Sequence, residues 1–262
     1  MKTVLTIAGS DCSGGAGIQA DLKTITVHGL YGESVITALT AQNTMGVADV
    51  MPVPPEFLEE QLACIFSDIV PDAVKIGMIP GIEQMQVICA CFQKYQPKHV
   101  VIDTVMVSTS GRNLMEPEAV EYYKKYLLPM ADLYTPNIPE TELLTARSIK
   151  TKEERLEAAK ELSRQYPGAV LIKGGHAEKQ ADDLLFIRGR AIWFPQKHIE
   201  NSNTHGTGCT LSSAIACGLA EGLGIEESVR HAKEYITGAI ADGMNLGRGN
   251  GPLNHMYQMR KS

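Results

Sequence analysis

Short apolar runs separated by longer amphipathic stretches leave few folds open to this chain. Residues 4–8, 34–39, 73–76, 100–102, 133–135 and 169–172 are brief and rich in Val, Ile, Leu and Ala, as expected of strands, several of them buried on both faces. Between them, residues 18–28, 55–69, 82–95, 117–128 and 152–165 have helical character; Phe57, Leu58, Leu62 and Ile65, for example, fall on one face of a 3.6-residue period. Strand–helix alternation of this kind predicts a largely parallel central sheet with helices on both faces, a three-layer α/β/α architecture. Ligands then sit at the carboxyl ends of the strands. Residues 184–187 and 191–194 flank Arg188-Gly189-Arg190 and predict a hairpin. The last third is helical over 210–221 and 225–244, the second with Val229, Ala232, Ile236, Ala239 and Ile240 at helical spacing. A length of 262 residues permits one or two domains. No linker, compositional break or internal repeat divides it, so a single α/β domain over residues 1–262 is expected.

Charge narrows the partners. The 24 Lys and Arg against 30 Asp and Glu give a net charge of −6, with no basic stripe, so nucleic acid and anionic membrane surfaces are not expected partners. The apolar run near residue 4 is too short for a signal segment and no stretch could span a bilayer, which predicts a cytoplasmic protein. The six cysteines form no Cys-x-x-Cys pair and have no histidine at zinc spacing, so neither a disulfide framework nor a zinc site is expected. Cys64, Cys89, Cys91 and Cys217 lie in apolar helical stretches and read as core residues, whereas Cys12 lies in a loop.

Chemistry concentrates in Asn203-Thr204-His205-Gly206-Thr207-Gly208-Cys209, a glycine-punctuated turn running into a small-residue helix. Unpaired N–H groups and the positive end of the helix dipole would meet there, which suits a phosphate or a developing negative charge. Cys209 stands at the mouth of that hole, and the same field is expected to favour its thiolate. The plainer alternative is a tight turn with a small buried cysteine. The glycine-rich loop 9–17 follows a strand and precedes a helix, but it lacks Gly-x-Gly-x-x-Gly spacing and the Lys-Ser/Thr of a P-loop. It reads instead as a loop through which the backbone approaches a ligand, with Asp21 one helical turn inside. Asp103 and Lys173 each follow an apolar strand, where catalytic groups gather in parallel sheets, although both could be ordinary strand ends. Asn137 and Glu140 have the spacing of a helix capping box, the reading the motif alone favours, with a magnesium contact through the carboxylate as the alternative.

The ordered series Ala8-Gly9-Ser10-Asp11, Ser13 to Thr24, Thr37 to Thr44, Lys75-Ile76-Gly77-Met78, Asp103-Thr104-Val105-Met106, Thr135-Pro136-Asn137-x-x-Glu140, Lys173-Gly174-Gly175-His176, Asn203 to Thr210 and Gly249-x-Gly251-Pro252 resembles the ribokinase-like superfamily. Within it, the chain resembles the hydroxymethylpyrimidine/phosphomethylpyrimidine kinases of thiamine synthesis along nearly its whole length. That resemblance implies ATP with Mg2+ as phosphoryl donor and two successive phosphorylations, of the hydroxymethyl group and then of the monophosphate. It implies Cys209 as base, where much of the superfamily carries aspartate, with Gly206 and Gly208 at the anion hole. Lys173, Asn137, Thr207 and Asp103 would attend the nucleotide, and Glu140 and Asp103 the metal. Gln42, Asp21, Gly9, Ala16, Met78 and Val105 would line the pyrimidine site, with His176 and His205 as secondary contacts. A homodimer is the common state of such relatives. The nearest alternative is a pyridoxal/pyridoxine kinase, some of which carry a lid cysteine where this chain has Ser108. A non-catalytic pyrimidine-binding protein would be expected to have lost Cys209, Glu140 or Lys173, and a sugar kinase would keep the aspartate base.

Overall fold

The computed structural model describes residues 1–106, 115–175, 182–195, 199, 201 and 203–259. Its spine is a sheet in the order β3-β2-β1-β4-β5-β6-β7-β8-β9. The strands are β1 (Thr3–Asp11), β2 (Tyr31–Asn43), β3 (Gly46–Pro52), β4 (Ala73–Ile76), β5 (Val100–Ile102), β6 (Leu133–Tyr134), β7 (Ala169–Ile172), β8 (Asp183–Ile187) and β9 (Arg190–Phe194). From β2 through β7 in spatial order the pairings are parallel, while β3, β8 and β9 add antiparallel edges. β1 is the switch point: β2 pairs to one side of it and β4 to the other, which opens a crevice at its carboxyl end.

Strand alternation divides the core into two layers. Leu5, Ile7, Val74, Ile76, Val100, Ile102, Val170 and Ile172 face one cluster, covered by α2 (Pro55–Ser67), α3 (Ile82–Tyr95), α4 (Pro117–Tyr122) and α6 (Lys152–Gln165). Val4, Ala73, Val101, Leu133 and Leu171 face the other, covered by α1 (Gly17–Val27), α7 (Thr207–Ala220) and α8 (Ile225–Asp242). Lys75, two residues after Ala73 on β4, therefore belongs to the α1–α7 side. Among the described residues no helix is long and apolar enough to cross a membrane.

Three elements depart from the sequence expectations. β3 pairs antiparallel with the end of β2, Leu39 opposite Met51, although most of its side chains are exposed and carry no strand alternation. The helix expected over 117–128 changes pitch, α4 passing into a wide π turn at Tyr123–Leu127 and a tight turn at Leu128–Met130. Pro129 has no N–H to give and its ring excludes a regular α turn over residue 125. A short helix, α5 (Ile138–Thr145), follows β6 and begins in a complete capping box.

Candidate active site

The carboxyl ends of β1, β2, β4, β5, β6 and β7 all open on one edge of the sheet, and α7 points its amino terminus at them. Gly206 caps α7 with φ 84°, a conformation that favours glycine, and a Cβ there would run into the Gly15 carbonyl oxygen. No side chain caps α7, as is also true of α1, α2, α3, α4 and α8, whereas the first turns of α5 and α6 are closed by Asn137 and Thr151. The Thr207 N–H turns back to the Thr204 carbonyl at 3.3 Å, and the next N–H groups of the first turn are the ones open to a ligand. Gly208 lies so close to β5 and β7 that a Cβ would sit 3.0 Å from Asp103 Oδ2 and 3.4 Å from Lys173 Nζ.

Asp103 and Lys173 form an ion pair of 2.8 Å, and the Thr135 hydroxyl donates to the same Asp103 oxygen at 3.2 Å. Burial would lower the Lys173 pKa, but Asp103 and Glu140 together hold it above its ordinary value. Glu140 completes both arms of the capping box: its N–H donates to Asn137 Oδ1, and its Oε2 accepts from the Asn137 N–H, each at 2.8 Å. Oε2 also accepts from Thr104 Oγ1 at 2.9 Å. Burial pushes this carboxyl up, Lys173 opposing and Asp103 reinforcing the shift. Both carboxylates are nearly inaccessible, Asp103 at 2% and Glu140 at 4% exposure.

Two expectations are corrected. The Cys209 thiol is not favoured as thiolate: burial pushes it up to about 11, with the Lys75 ammonium pulling down and Asp21 and Asp103 pushing further up. Loss of water around the buried thiol outweighs the helix-terminus field. Asp21, expected to line the substrate site, is wholly buried. Its Oδ2 accepts from Lys75 Nζ at 2.8 Å and Thr6 Oγ1 at 2.6 Å, and its Oδ1 from Ser213 Oγ at 2.8 Å. It supports the floor of the site from below.

Of the remaining expected residues, Gly9, Ala16, Gln42 and Met78 lie near the ends of β1, β2 and β4, while Val105 follows β5 and Thr207 opens α7. A Cβ on Gly9 would lie 3.1 Å from Met78 Cε, and Thr37 Oγ1 donates to the Met78 carbonyl at 2.7 Å. Ala16 donates its N–H to Asp11, and Val105 its N–H to the Asp103 carbonyl. Gln42 is partly exposed, its Nε2 3.4 Å from His205 Nε2. Thr207 stands in the first turn of α7. His176 and Ser108 lie outside the described residues. Asp11, Lys75, Thr104 and Thr135 lie within the motifs quoted from the sequence, yet nothing local in the sequence assigns them a role; Asp11 stands out only as the end of an apolar strand. Among the described residues no cluster of three or more His, Cys, Asp or Glu side chains is placed to hold a metal. A groove of about 470 Å³ between α3 and α4, bordered by Ile82, Tyr122, Lys125 and Tyr166, includes none of these residues.

A mostly parallel sheet between two helical layers, with its site at the strand ends, defines an α/β protein of the ribokinase-like kinase fold. The chain belongs to the phosphomethylpyrimidine kinase family, whose model matches residues 11–254. It is 50% identical over 255 residues to a thiamine biosynthesis bifunctional protein of Geobacter sulfurreducens, covering 97% of this chain and 52% of that protein, so it spans about half of that relative's length. A crystal structure of phosphomethylpyrimidine kinase from Clostridium difficile is similar at 45% identity and a TM-score of 0.83, covering 92% of this chain and 100% of that one. An ADP complex of a Bacillus subtilis pyridoxal kinase has a TM-score of 0.91 at 35% identity, each chain covered to 99%.

Proposed function

We propose that this chain transfers a phosphoryl group from ATP to the hydroxymethyl group of 4-amino-5-hydroxymethyl-2-methylpyrimidine, and then a second one to the resulting monophosphate. The observation that carries the reading is the uncapped α7 terminus, with Cys209 in its first turn, set against the Asp103–Lys173 pair. Family membership supports the pyrimidine as acceptor. When bound, magnesium-ATP supplies the transferable phosphoryl group and its balancing charge. Asp103 and Glu140 are hard oxygen donors, and two carboxylates sharing a cation with phosphate oxygens and water suit magnesium. Lys173 would hold a nucleotide phosphate as a point charge, with Asn137 and Thr207 beside it. The N–H groups from Gly206 to Cys209 would stabilise charge on the phosphoryl oxygens. Cys209 Sγ would accept the alcohol proton, while Gln42, Gly9, Ala16, Met78 and Val105 hold the ring.

A single-domain enzyme fits the one continuous sheet. Six free cysteines suit a reducing cytoplasm. The exposed cross-strand pair Leu39 and Met51 supports a homodimer, which sedimentation would detect. The deciding experiment offers purified protein magnesium-ATP with either the aminopyrimidine alcohol or pyridoxine and resolves the products. Mono- and diphosphate from the pyrimidine, at higher kcat/KM than pyridoxine phosphate, is the expected result. Preference for pyridoxine would overturn the reading in favour of a pyridoxal kinase.

A further inference from the structure

Lys173 is held at its base as well as at its tip. Its N–H donates to the Pro136 carbonyl at 2.8 Å, in a parallel bridge with Asn137. The next N–H, that of Gly174, donates to Asp183 Oδ1 at 2.7 Å. Both peptide planes that flank Lys173 are thereby fixed, and with them the direction in which its Cα–Cβ bond leaves the chain. At the tip, Nζ meets Asp103 Oδ1 at 2.8 Å. A nucleotide phosphate would compete with Asp103 for that ammonium, whereas the anchor at the base does not depend on the ligand.

The acceptor for Gly174 is a side chain because the β7–β8 ladder ends there. The two strands pair antiparallel as far as Ile172 opposite Leu184, and Lys173 turns its N–H to the segment that follows β6. Asp183, the first residue of β8, supplies the missing oxygen. It is 4% exposed, and its Oδ2 accepts from Lys233 Nζ of α8 at 2.6 Å. A buried carboxylate without a partner is costly, so the α8 ammonium is what lets Asp183 stand at this strand end as an acceptor. Gly174 also has to come close. A Cβ there would run into the Asp182 carbonyl oxygen and lie 2.8 Å from Arg155 Nη1, which donates to that same carbonyl.

We propose that Asp183, held by Lys233, is a positioning residue for nucleotide binding: it fixes the backbone at Gly174 and so aims Lys173 at a nucleotide phosphate. The inference rests on the phosphate role given to Lys173 above and adds the residue that places it. An ammonium on a four-carbon stem has many rotamers, and fixing its origin reduces the entropy lost when it meets a phosphate.

The test compares two double variants, Asp183→Asn with Lys233→Met and Asp183→Val with Lys233→Met. Both remove the two buried charges, but only the first keeps a side-chain oxygen for the Gly174 N–H. Calorimetry reads the binding of magnesium-ADP, and steady-state rates separate KM for ATP from kcat. The variant with Asp183→Val should bind ADP about tenfold or more weakly, with the loss in KM for ATP rather than in kcat. The variant with Asp183→Asn should rescue binding to within about twofold of wild type. In a Lys173→Met background the two should differ by less than about twofold, because Asp183 acts through Lys173. Equal weakening by both, or a difference that persists without the Lys173 ammonium, overturns the proposal and makes Asp183 a support of the fold alone. If the variant with Asp183→Val does not fold, hydrogen exchange in the wild-type protein decides: the Gly174 N–H should exchange at least about 100-fold more slowly than an open amide, and free exchange overturns the proposal. Preference for pyridoxine as acceptor would sink the function proposed above without touching this inference, which is read on the nucleotide. ADP binding undiminished in Lys173→Met would overturn both the phosphate role of Lys173 and this proposal.

Discussion

Cys209 carries the sharpest pH signature at the scale of single residues. Burial pushes its thiol up to about 11, so at pH 7 only a small thiolate fraction is available to accept the alcohol proton. The thiolate fraction grows about tenfold per pH unit below that value, and kcat/KM reports groups on the free enzyme. The first phosphorylation should therefore rise with pH across 7–9.5. The second should rise much less, since its phosphate nucleophile is already ionised. Cys209→Ala should slow the first step by about 10²–10⁴-fold, the reach of general-base catalysis, and the second by less. A flat first-step profile together with equal losses in both steps would remove Cys209 from proton transfer. Glu140 poses a different question, because its capping role is visible and its metal role is proposed. Glu140→Gln keeps an oxygen for the Asn137 N–H while removing the charge. A rise of about tenfold or more in the magnesium concentration needed for half-maximal rate is expected; an unaltered requirement would make Glu140 a cap alone.

Among the elements, β2 holds a cost that pH should expose. Glu33 is 5% exposed, and neither carboxylate oxygen has a hydrogen-bond partner among the described residues. Burial, with Asp72 adding like charge, raises it to about 7. A carboxyl whose folded pKa lies above its unfolded value costs nothing when protonated in both states, and stability falls as pH rises from about 4.5 through 7. Glu33→Gln should raise the melting temperature at pH 8, by a stabilisation on the order of 1–3 kcal/mol, and change little at pH 4.5. Equal melting shifts at both pH values would count against the burial argument. The parallel strands were legible because burial on both faces leaves continuous apolar runs such as Val100-Val101-Ile102. β3 was not, since its exposed residues follow no period and only pairing with β2 makes it a strand. α5 was foreshadowed only by its cap, Asn137 and Glu140, being eight residues long without an apolar stripe. At the site, Cys209, Lys173 and Asp103 stood out from strand and turn signals. The partnership of Asp11 with His205 spans 194 residues of sequence and leaves no local trace.

For the whole molecule, one buried pair fastens the sheet to a helical layer. Lys75 from β4 and Asp21 from α1 meet at 2.8 Å with both side chains wholly inaccessible, and Thr6 of β1 and Ser213 of α7 complete the carboxylate. Ser213 lies one helical turn from Cys209, so the pair also sets how α7 presents its first turn to the strand ends. Lys75 stands in the Lys75-Ile76-Gly77-Met78 motif, but its ion pair is not legible there, because a buried charge looks like a solvated one until its partner is known. An ion pair in such a place is expensive to desolvate, and breaking it by removing one partner leaves an uncompensated buried charge at a cost of about 3–5 kcal/mol. Lys75→Met and Asp21→Asn should each lower the thermal midpoint sharply. The double variant should recover most of that loss, since neither charge then remains. Non-additivity of this sign separates a coupled pair from two independent core defects. If the pair also holds α7 in place, the double variant should regain stability while the first phosphorylation stays at least about tenfold below wild type, the loss falling on kcat rather than on KM for ATP. Full recovery of both stability and kcat would show that the pair only fastens the layers and has no part in placing Cys209.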